Sequence, residues 1–572
     1  MPGAADDDLR LRVAIVGVGP KGLFALERLL DHAHRAGPLT GLDVDLFEPH
    51  PVAGAGPVYD PDQPAYLRMN VAAEQLNMWG DRTRAVSAGD RRSFVDWRRE
   101  TGVEGHDQRY PPRALIGRYL AGGLAGMRTA APRHVTITQR RTSAHELWRS
   151  GSSWTIATSD GTVRHGYDEV LVAVGHATGG GDWAHASWPH AAPLIPAVFP
   201  VTRLAPEHVA PGATVAVRGF ALTFLDAALA LTEGRGGVFA PDDHPYRLRY
   251  TPSSDDAGVI VPYSRTGRPM LAKPDPSLAA GIPALTAIAR SARAQILALS
   301  QDFGVRDDLL PILAAAVEAS LLAAGRERQD ARMSAERRLR VACDGLAPPT
   351  SLAPAQEIGR SLAVGAGLAA PDLSWALGQT WRALYPALVT RLSHGGLSAQ
   401  QRPTFHALAT QMERVAFGPP AVNAAKLLAL IAAGRVDLTH VTGAQLQGDS
   451  QMTVICSALG ERGVDVVVDA VLPQPGAHRS DSGLLERLVT DGHARIVDGG
   501  RGLQVDADGG CIGAEGNRTT GLSAIGRPTE DCVIGNDTLD RTLHPHADAW
   551  ARRVIGLAPR ERTPDPVGLQ AA

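Results

Sequence analysis

Residues 13–22 read VAIVGVGPKG, and the helical pattern LFALERLLDHA comes immediately after. Apolar residues running into Gly17-x-Gly19-x-x-Gly22 confine this stretch to a buried strand, a tight turn and a helix. Gly17 makes the turn, Gly19 leaves the backbone open to a pyrophosphate, and Gly22 lets the helix pack close on the strand. The helix N-terminus then presents N–H groups to the phosphates. A second strand, VDLF, closes on Glu48, the acidic residue that such a site uses to hold a ribose. Glu48 comes slightly late because a Gly/Pro loop at 36–41 intervenes. Strand, glycines, helix, strand and acid in this order predict a dinucleotide-binding unit; a bare G-x-G-x-x-G would not.

At 572 residues the chain exceeds what one core can hold, so two or three domains are expected. A formal net charge of −3 favours neither nucleic acid nor an anionic membrane as partner. Cys343, Cys456, Cys511 and Cys532 stand far apart without a C-x-x-C. That spacing excludes a thioredoxin-reductase-type redox pair and gives no zinc site, so reduced structural thiols and no metal are expected. The first residues, MPGAADDDLRLR, are acidic and polar, unlike a signal peptide, and no run of 18 apolar residues occurs. The expectation is a soluble cytoplasmic protein, with homo-oligomer formation left open.

After Glu48 comes an aperiodic loop rich in Gly, Pro and Asn, lying where an open parallel sheet receives ligands. Arg68, Asn70, Asn77 and Trp79 are its candidate pocket-lining residues. Tyr110-Pro111-Pro112-Arg113 opens a helix, with Pro in the first turn, where its missing N–H costs little. Residues 134–175 read as strands, the last ending at Ala173-Val174-Gly175. A second βαβ unit begins after Ala213 with TVAVRGFALTFLDAALALTEG, in which Gly219 turns the chain and Thr223 stands at the helix start. Ala221 and Phe224 occupy two fingerprint glycine positions, which loosens any phosphate approach. The next strand ends in Ser264-Arg265 with no acid, an arrangement that accepts a 2′-phosphate and favours NADPH over NADH.

From 278 to about 433 the apolar period becomes helical, and β signals return at 463–472. A helix at 484–491 precedes a short strand ending at Gly526; Asn536 or Asp537 can cap the next segment, and His544 and His546 precede a final helix. The expected division is 1–185 and 473–572 for one discontinuous dinucleotide domain, 195–275 with return strands at 434–472 for a second, and 276–433 as a helical insertion. The fold class is α/β, with two Rossmann-like dinucleotide-binding domains, the first discontinuous, and a mainly helical insertion.

The segments VGVGPKG, GxGPVYD, LRMN, YPPR and GNDTLDRTLHPHADAWA together resemble the FAD/NAD(P)-binding flavoproteins similar to class B flavin monooxygenases. Within them the chain is most similar to a branch that includes bacterial biosynthetic N-hydroxylases oxidising L-aspartate stepwise to nitrosuccinate. The resemblance implies FAD and NADPH as cofactors, an amine or amino acid and O2 as substrates, and oxygen transfer through a flavin C4a-hydroperoxide. It places FAD at Gly17, Gly19, Gly22, Glu48, Asn70, Trp79, Arg113, Gly175, Gly526 and Asn536, and NADPH at Gly219, Thr223, Ser264 and Arg265. Arg68, Arg479 and Arg541 are candidates for holding substrate carboxylates. No catalytic side chain is assigned, because the cofactor carries the chemistry and no triad, carboxylate pair or metal cluster stands out. The linker departs from the group's FxGxxxHxxxW pattern: Gly181 and His185 fit it, with Pro189 in place of Trp, but the Phe is missing. An FAD-dependent NAD(P)H oxidoreductase passing electrons to a partner or quinone stays open, as does a non-catalytic nucleotide-binding regulator.

Overall fold

The computed structural model describes residues 10–36, 41–81, 83–87, 90–102, 109–175, 188–346, 350–477 and 483–557. The chain divides into one unit of Met1–Gln63, Val71–Ala177 and Pro475–Ala572, and another of Pro64–Asn70 and Thr178–Gln474. The first unit begins with Leu11–Val16 (β1), Pro20–Ala36 (α1), Leu42–Phe47 (β2), Phe94–Thr101 (α2), Arg113–Ala130 (α3) and Val135–Arg140 (β3). Ala144–Ser150 (β4), Ser153–Thr158 (β5), Val163–Tyr167 (β6) and Glu169–Val172 (β7) come next. The second unit supplies Leu194–Ile195 (β8), Thr214–Arg218 (β9), Leu222–Ala230 (α4), Val238–Pro241 (β10), Leu248–Thr251 (β11) and Val259–Tyr263 (β12). Its helical stretch comprises Pro276–Ala280 (α5), Ala284–Leu297 (α6), Leu310–Ala323 (α7), Arg328–Cys343 (α8), Pro354–Gly365 (α9), Leu373–Leu392 (α10), Arg402–Ala416 (α11) and Ala421–Ala432 (α12). Gln445–Gly448 (β13), Thr453–Ser457 (β14), Gly460–Gly463 (β15) and Val466–Asp469 (β16) complete that unit. The chain then returns to the first with Leu484–Thr490 (α13), Gly510–Ile512 (β17), Arg518–Ala524 (β18) and His546–Ile555 (α14).

The main sheet of the first unit has the order β17-β18-β7-β1-β2-β3. Every pairing in it is parallel except that of β17 with β18. Val13, Ala14 and Ile15 of β1 are fully buried, as the unbroken apolar run requires of a central parallel strand. β18 joins β7 in parallel, so this sheet is built from both ends of the sequence. The second unit has its own parallel sheet, in the order β12-β9-β16-β8. Both units are thus Rossmann-like α/β assemblies, the first discontinuous and the second carrying the helical stretch.

Within the span 134–175 read as strands, the first unit holds a three-stranded antiparallel sheet, β4-β5-β6. One detail departs from the sequence reading. The strand expected to run to Leu472 stops at Asp469, because Val471 and Leu472 turn outward into solvent.

Glu169, fully buried on β7, holds the late return of the chain in place. Its Oε1 accepts from Ser523 Oγ on β18 at 2.6 Å, Trp550 Nε1 on α14 at 3.0 Å and Arg553 Nη2 at 2.8 Å. Its Oε2 accepts from Arg553 Nη1 at 3.0 Å. Arg553→Ala leaves this carboxylate buried without its countercharge and is expected to destabilise the first unit by about 3–5 kcal/mol. Chemical denaturation would read the loss, and the paired change Glu169→Gln with Arg553→Met should recover most of it.

Candidate cofactor site

The fingerprint turn is built from contacts that only glycine permits. Gly17 has φ +90°, and a Cβ there would sit 2.8 Å from the carbonyl oxygen of Ala173. At Gly22 a Cβ would lie 2.1 Å from the Gly17 carbonyl oxygen, so the helix could not close on the strand. At Gly19 and at Gly175 a Cβ would meet no atom within 4 Å, so the backbone there borders open space. Glu48 is buried beside this turn: its Oε2 accepts from the Val18 N–H at 2.8 Å and its Oε1 from the His50 N–H at 3.0 Å. Each oxygen keeps accepting capacity beyond the bond it makes to the backbone.

Next to the start of α1 lies a cavity of about 340 Å³, lined among others by Lys21, Phe24, Asn77, Trp79, Gly526, Asn536, Asp540, Arg541 and His544. Trp79 is 5% exposed and its Nε1 has no hydrogen-bond partner among the described residues. Asn536 donates from Nδ2 to Glu530 Oε2 at 2.8 Å and to the Val533 carbonyl at 3.1 Å, while its buried Oδ1 is unpartnered among the described residues. A buried donor and a buried acceptor left open beside a glycine turn with free space are features that fit a bound dinucleotide carrying a polar ring.

The charge around the cavity is organised by Glu27, fully buried on α1. Arg541 donates to its Oε2 at 2.8 Å and to the Met78 carbonyl, with its guanidinium 5.4 Å from the Phe24 ring centroid. Arg28 also donates to Glu27 Oε2, at 2.7 Å. Burial opposes ionisation of Glu27, but Arg28 and Arg541 outweigh it and hold the carboxyl below its usual pKa. Burial lowers the Lys21 ammonium to about 8, against the pull of Asp537 and Asp540. It also pushes the Tyr59 phenol up to about 12, where the charge of Arg113, at the start of α3, pulls the other way.

The structure therefore brings Trp79, Gly526, Asn536 and Arg541 around one cavity, on the unit that carries Gly17, Gly19, Gly22, Glu48, Arg113 and Gly175. Arg541 differs from expectation in that its guanidinium is already engaged by Glu27 and Met78. Arg68 and Asn70 fall in the second unit, whose core the neighbouring Tyr66 packs against. There the Asn70 carbonyl accepts from Lys273 Nζ, and burial lowers the Arg68 guanidinium against the pull of Glu233.

In the second βαβ unit Gly219 has φ +110° and donates its N–H to the Tyr263 carbonyl at 2.9 Å. Thr223 is the second residue of α4, and Phe224, 1% exposed, packs on Phe220 with ring centroids 5.3 Å apart. Ser264 Oγ accepts from the Gly267 N–H at 3.0 Å, and Arg265 is exposed. Arg479 and His185 lie outside the described residues. The cap after β18 is neither Asn536 nor Asp537 but Asp540, whose side chain accepts from the Thr542 N–H. Sequence reasoning misses Lys21, Glu27 and Asp540; the one signal is Lys21 standing between the second and third fingerprint glycines.

Residues 14–177 match the family model described as FAD-NAD(P)-binding, which assigns an FAD/NAD(P)-binding domain to the first part of the chain. An L-aspartate N-monooxygenase (nitrosuccinate-forming) of Streptomyces cremeus is 34% identical over 295 residues, 46% of this chain and 43% of that protein. A protein of the same description from Streptomyces davaonensis is 30% identical over 392 residues, 61% of this chain and 58% of that protein. A nitrosuccinic acid synthase of Aspergillus oryzae is 31% identical over 288 residues, 48% of this chain and 43% of that protein. This chain spans about half the length of these relatives. The solved L-lysine 6-monooxygenase from Pseudomonas syringae aligns at TM-score 0.46 and 12% identity, covering 95% of this chain and 99% of that one.

Two outcomes test the site. Gly22→Val should abolish retention of FAD, read as loss of flavin absorbance in purified protein, because its Cβ collides with the Gly17 carbonyl. Lys21, with its pKa lowered, should react with an amine-selective reagent at pH 8 in FAD-free protein and be protected by added FAD. Peptide mass mapping reads both states, and labelling of Lys21 that starts only near pH 10 would contradict the assignment.

Proposed function

We propose that this chain is an FAD- and NADPH-dependent N-hydroxylating monooxygenase acting on the amine of a small amino acid. The substrate best supported is L-aspartate, oxidised stepwise to nitrosuccinate. The observation that carries the reading is one chain holding two parallel βαβ units, the first with an open glycine turn beside a cavity with unpartnered polar atoms. The names of the three relatives supply the substrate.

Bound FAD, reduced by NADPH, would supply the activation of O2, with one oxygen atom going to the substrate nitrogen and the other to water. The chain's own part is to bind, orient and exclude water. The turn at Gly17, Gly19 and Gly22 and the first N–H groups of α1 receive the pyrophosphate, and Glu48 takes the ribose. Trp79 Nε1 offers a donor and Asn536 Oδ1 an acceptor to the ring system. Arg541, locked between Glu27 and Met78, holds the 77–79 wall against α1. Exposed Arg265 is the cation for the 2′-phosphate of NADPH, with Ser264 shaping its turn. Arg68 and Arg479 are the remaining candidates for the substrate carboxylates.

NADPH consumption measured across a panel of amino acids, with product masses read alongside, tests the reading. L-aspartate should stimulate turnover and give the nitroso product. Aspartate-independent NADPH oxidation that yields only peroxide would retire the substrate and favour an oxidase. Arg265→Ala should raise KM for NADPH about tenfold or more, with NADH kinetics unchanged, in line with loss of one charge-assisted phosphate contact of about 1.5–3 kcal/mol.

A further inference from the structure

The first turn of α1 carries a lysine and no acidic residue: Lys21 is the second residue of the helix and stands between Gly19 and Gly22. A cation there opposes the helix macrodipole, whose N-terminal end is already positive. Lys21 is half-buried and lines the cavity beside α1. Its stem lies on the chain leaving β18, where a Cβ at Gly526 would come 3.1 Å from Lys21 Cγ. Among the described residues its ammonium makes no hydrogen bond or ion pair.

The charged groups facing it are Asp537 and Asp540, which favour the ammonium, and Arg527, which opposes it. Both acids are engaged elsewhere. Asp537 Oδ2 accepts from Arg527 Nη2 at 2.9 Å, and Asp540 Oδ1 accepts from the Thr542 N–H at 2.9 Å and from Thr542 Oγ1 at 2.6 Å. Arg28, Asp81, Arg541, His544, His546 and Asp548 line the rest of the cavity. Burial outweighs the two acids and lowers the ammonium to about 8. The same cavity is lined by Trp79, 5% exposed, and Asn536, 4% exposed, whose Nε1 and Oδ1 have no partner among the described residues. A cation at the positive end of a helix, in a cavity where buried polar atoms stand open, is an arrangement that a bound anion would resolve.

We propose that Lys21 is the cation that receives the pyrophosphate of FAD, its ammonium completing the cradle that Gly19 and the first N–H groups of α1 begin. With FAD assigned to this turn, on which the role of Lys21 rests, the pyrophosphate fits better than a substrate carboxylate. Lys21 stands two residues from Gly19, where a Cβ would meet nothing within 4 Å, and the diester brings two negative charges to that space. An ammonium acts there as a point charge with three rotatable donors that can turn to either phosphate. Binding then raises the Lys21 pKa from its lowered free value, so FAD affinity is full below about pH 8 and is lost as pH rises above it. Retention of the cofactor is thereby coupled to one proton on a residue inside the fingerprint.

The test is titration of the FAD-free full chain with FAD between about pH 6.5 and 9.5, followed by flavin fluorescence. Wild-type Kd should be constant to near pH 8 and then rise by up to about tenfold per pH unit. Lys21→Met, which keeps a stem on Gly526, should bind FAD at least tenfold more weakly at pH 7 and lose the pH dependence, so that the two proteins converge towards pH 9.5. Lys21→Arg should restore most of the affinity and hold it to the top of the range. The Tm of FAD-free Lys21→Met, expected at or above that of the wild type, shows an intact fold. Tyr59, held up at about 12, stays neutral throughout, and carboxylates, imidazoles and guanidiniums ordinarily titrate outside about pH 8–9.5. Equal FAD affinity of Lys21→Met and wild type at pH 7, or the same pH dependence in both, overturns the role of Lys21 and leaves the FAD assignment standing. A wild type that takes up no FAD at any pH overturns both.

Discussion

The carboxylate of Glu169 is removed from water at the start of β7, between β1 and β18, and the closure of the first unit depends on satisfying it. A charge in that position is tolerated only when donors fill both oxygens. The donors come from residues 523, 550 and 553, more than 350 positions further along the chain. The segment between includes nearly all of the second unit. Loop-closure entropy grows only with the logarithm of length, so an excursion this large costs little more than a short one. The specificity of the buried donors then selects where the chain re-enters.

The cofactor cavity obeys the same logic one helix away. Glu27 on α1 is a second buried carboxylate, and Arg541 reaches it from the returning segment while also taking the Met78 carbonyl. The glycine turn, the 77–79 wall and the region after β18 are thereby referred to one helix. Buried ion pairs contribute little net stability once desolvation is counted, but breaking one is costly, so they act chiefly to fix geometry. That fits the proposal that this cavity receives a cofactor and keeps water out.

Much of this was legible in the residues. The fingerprint glycines and the two βαβ periods are local signals that the elements follow, while Glu48 and Gly526 lie just past β2 and β18, which end at Phe47 and Ala524. Trp79 was legible as a candidate pocket residue and Asn536 as a possible cap, and the structure places both around one cavity. Arg68 and Asn70 came from the same loop as Trp79 but belong to the other unit, against whose core Tyr66 packs. Loop composition carries no information about which core its apolar residues will join.

The sequence by itself determined the parallel strand, the turn and the helix at 11–36, the second βαβ unit and the helical stretch. These come from steric rules for glycine and from apolar periodicity, which act over a few residues. Only the tertiary structure decided that Glu27 and Glu169 are buried carboxylates with distant partners and that burial lowers the Lys21 ammonium. Burial, pairing and proton affinity depend on which groups meet across hundreds of residues, and no local pattern encodes that meeting.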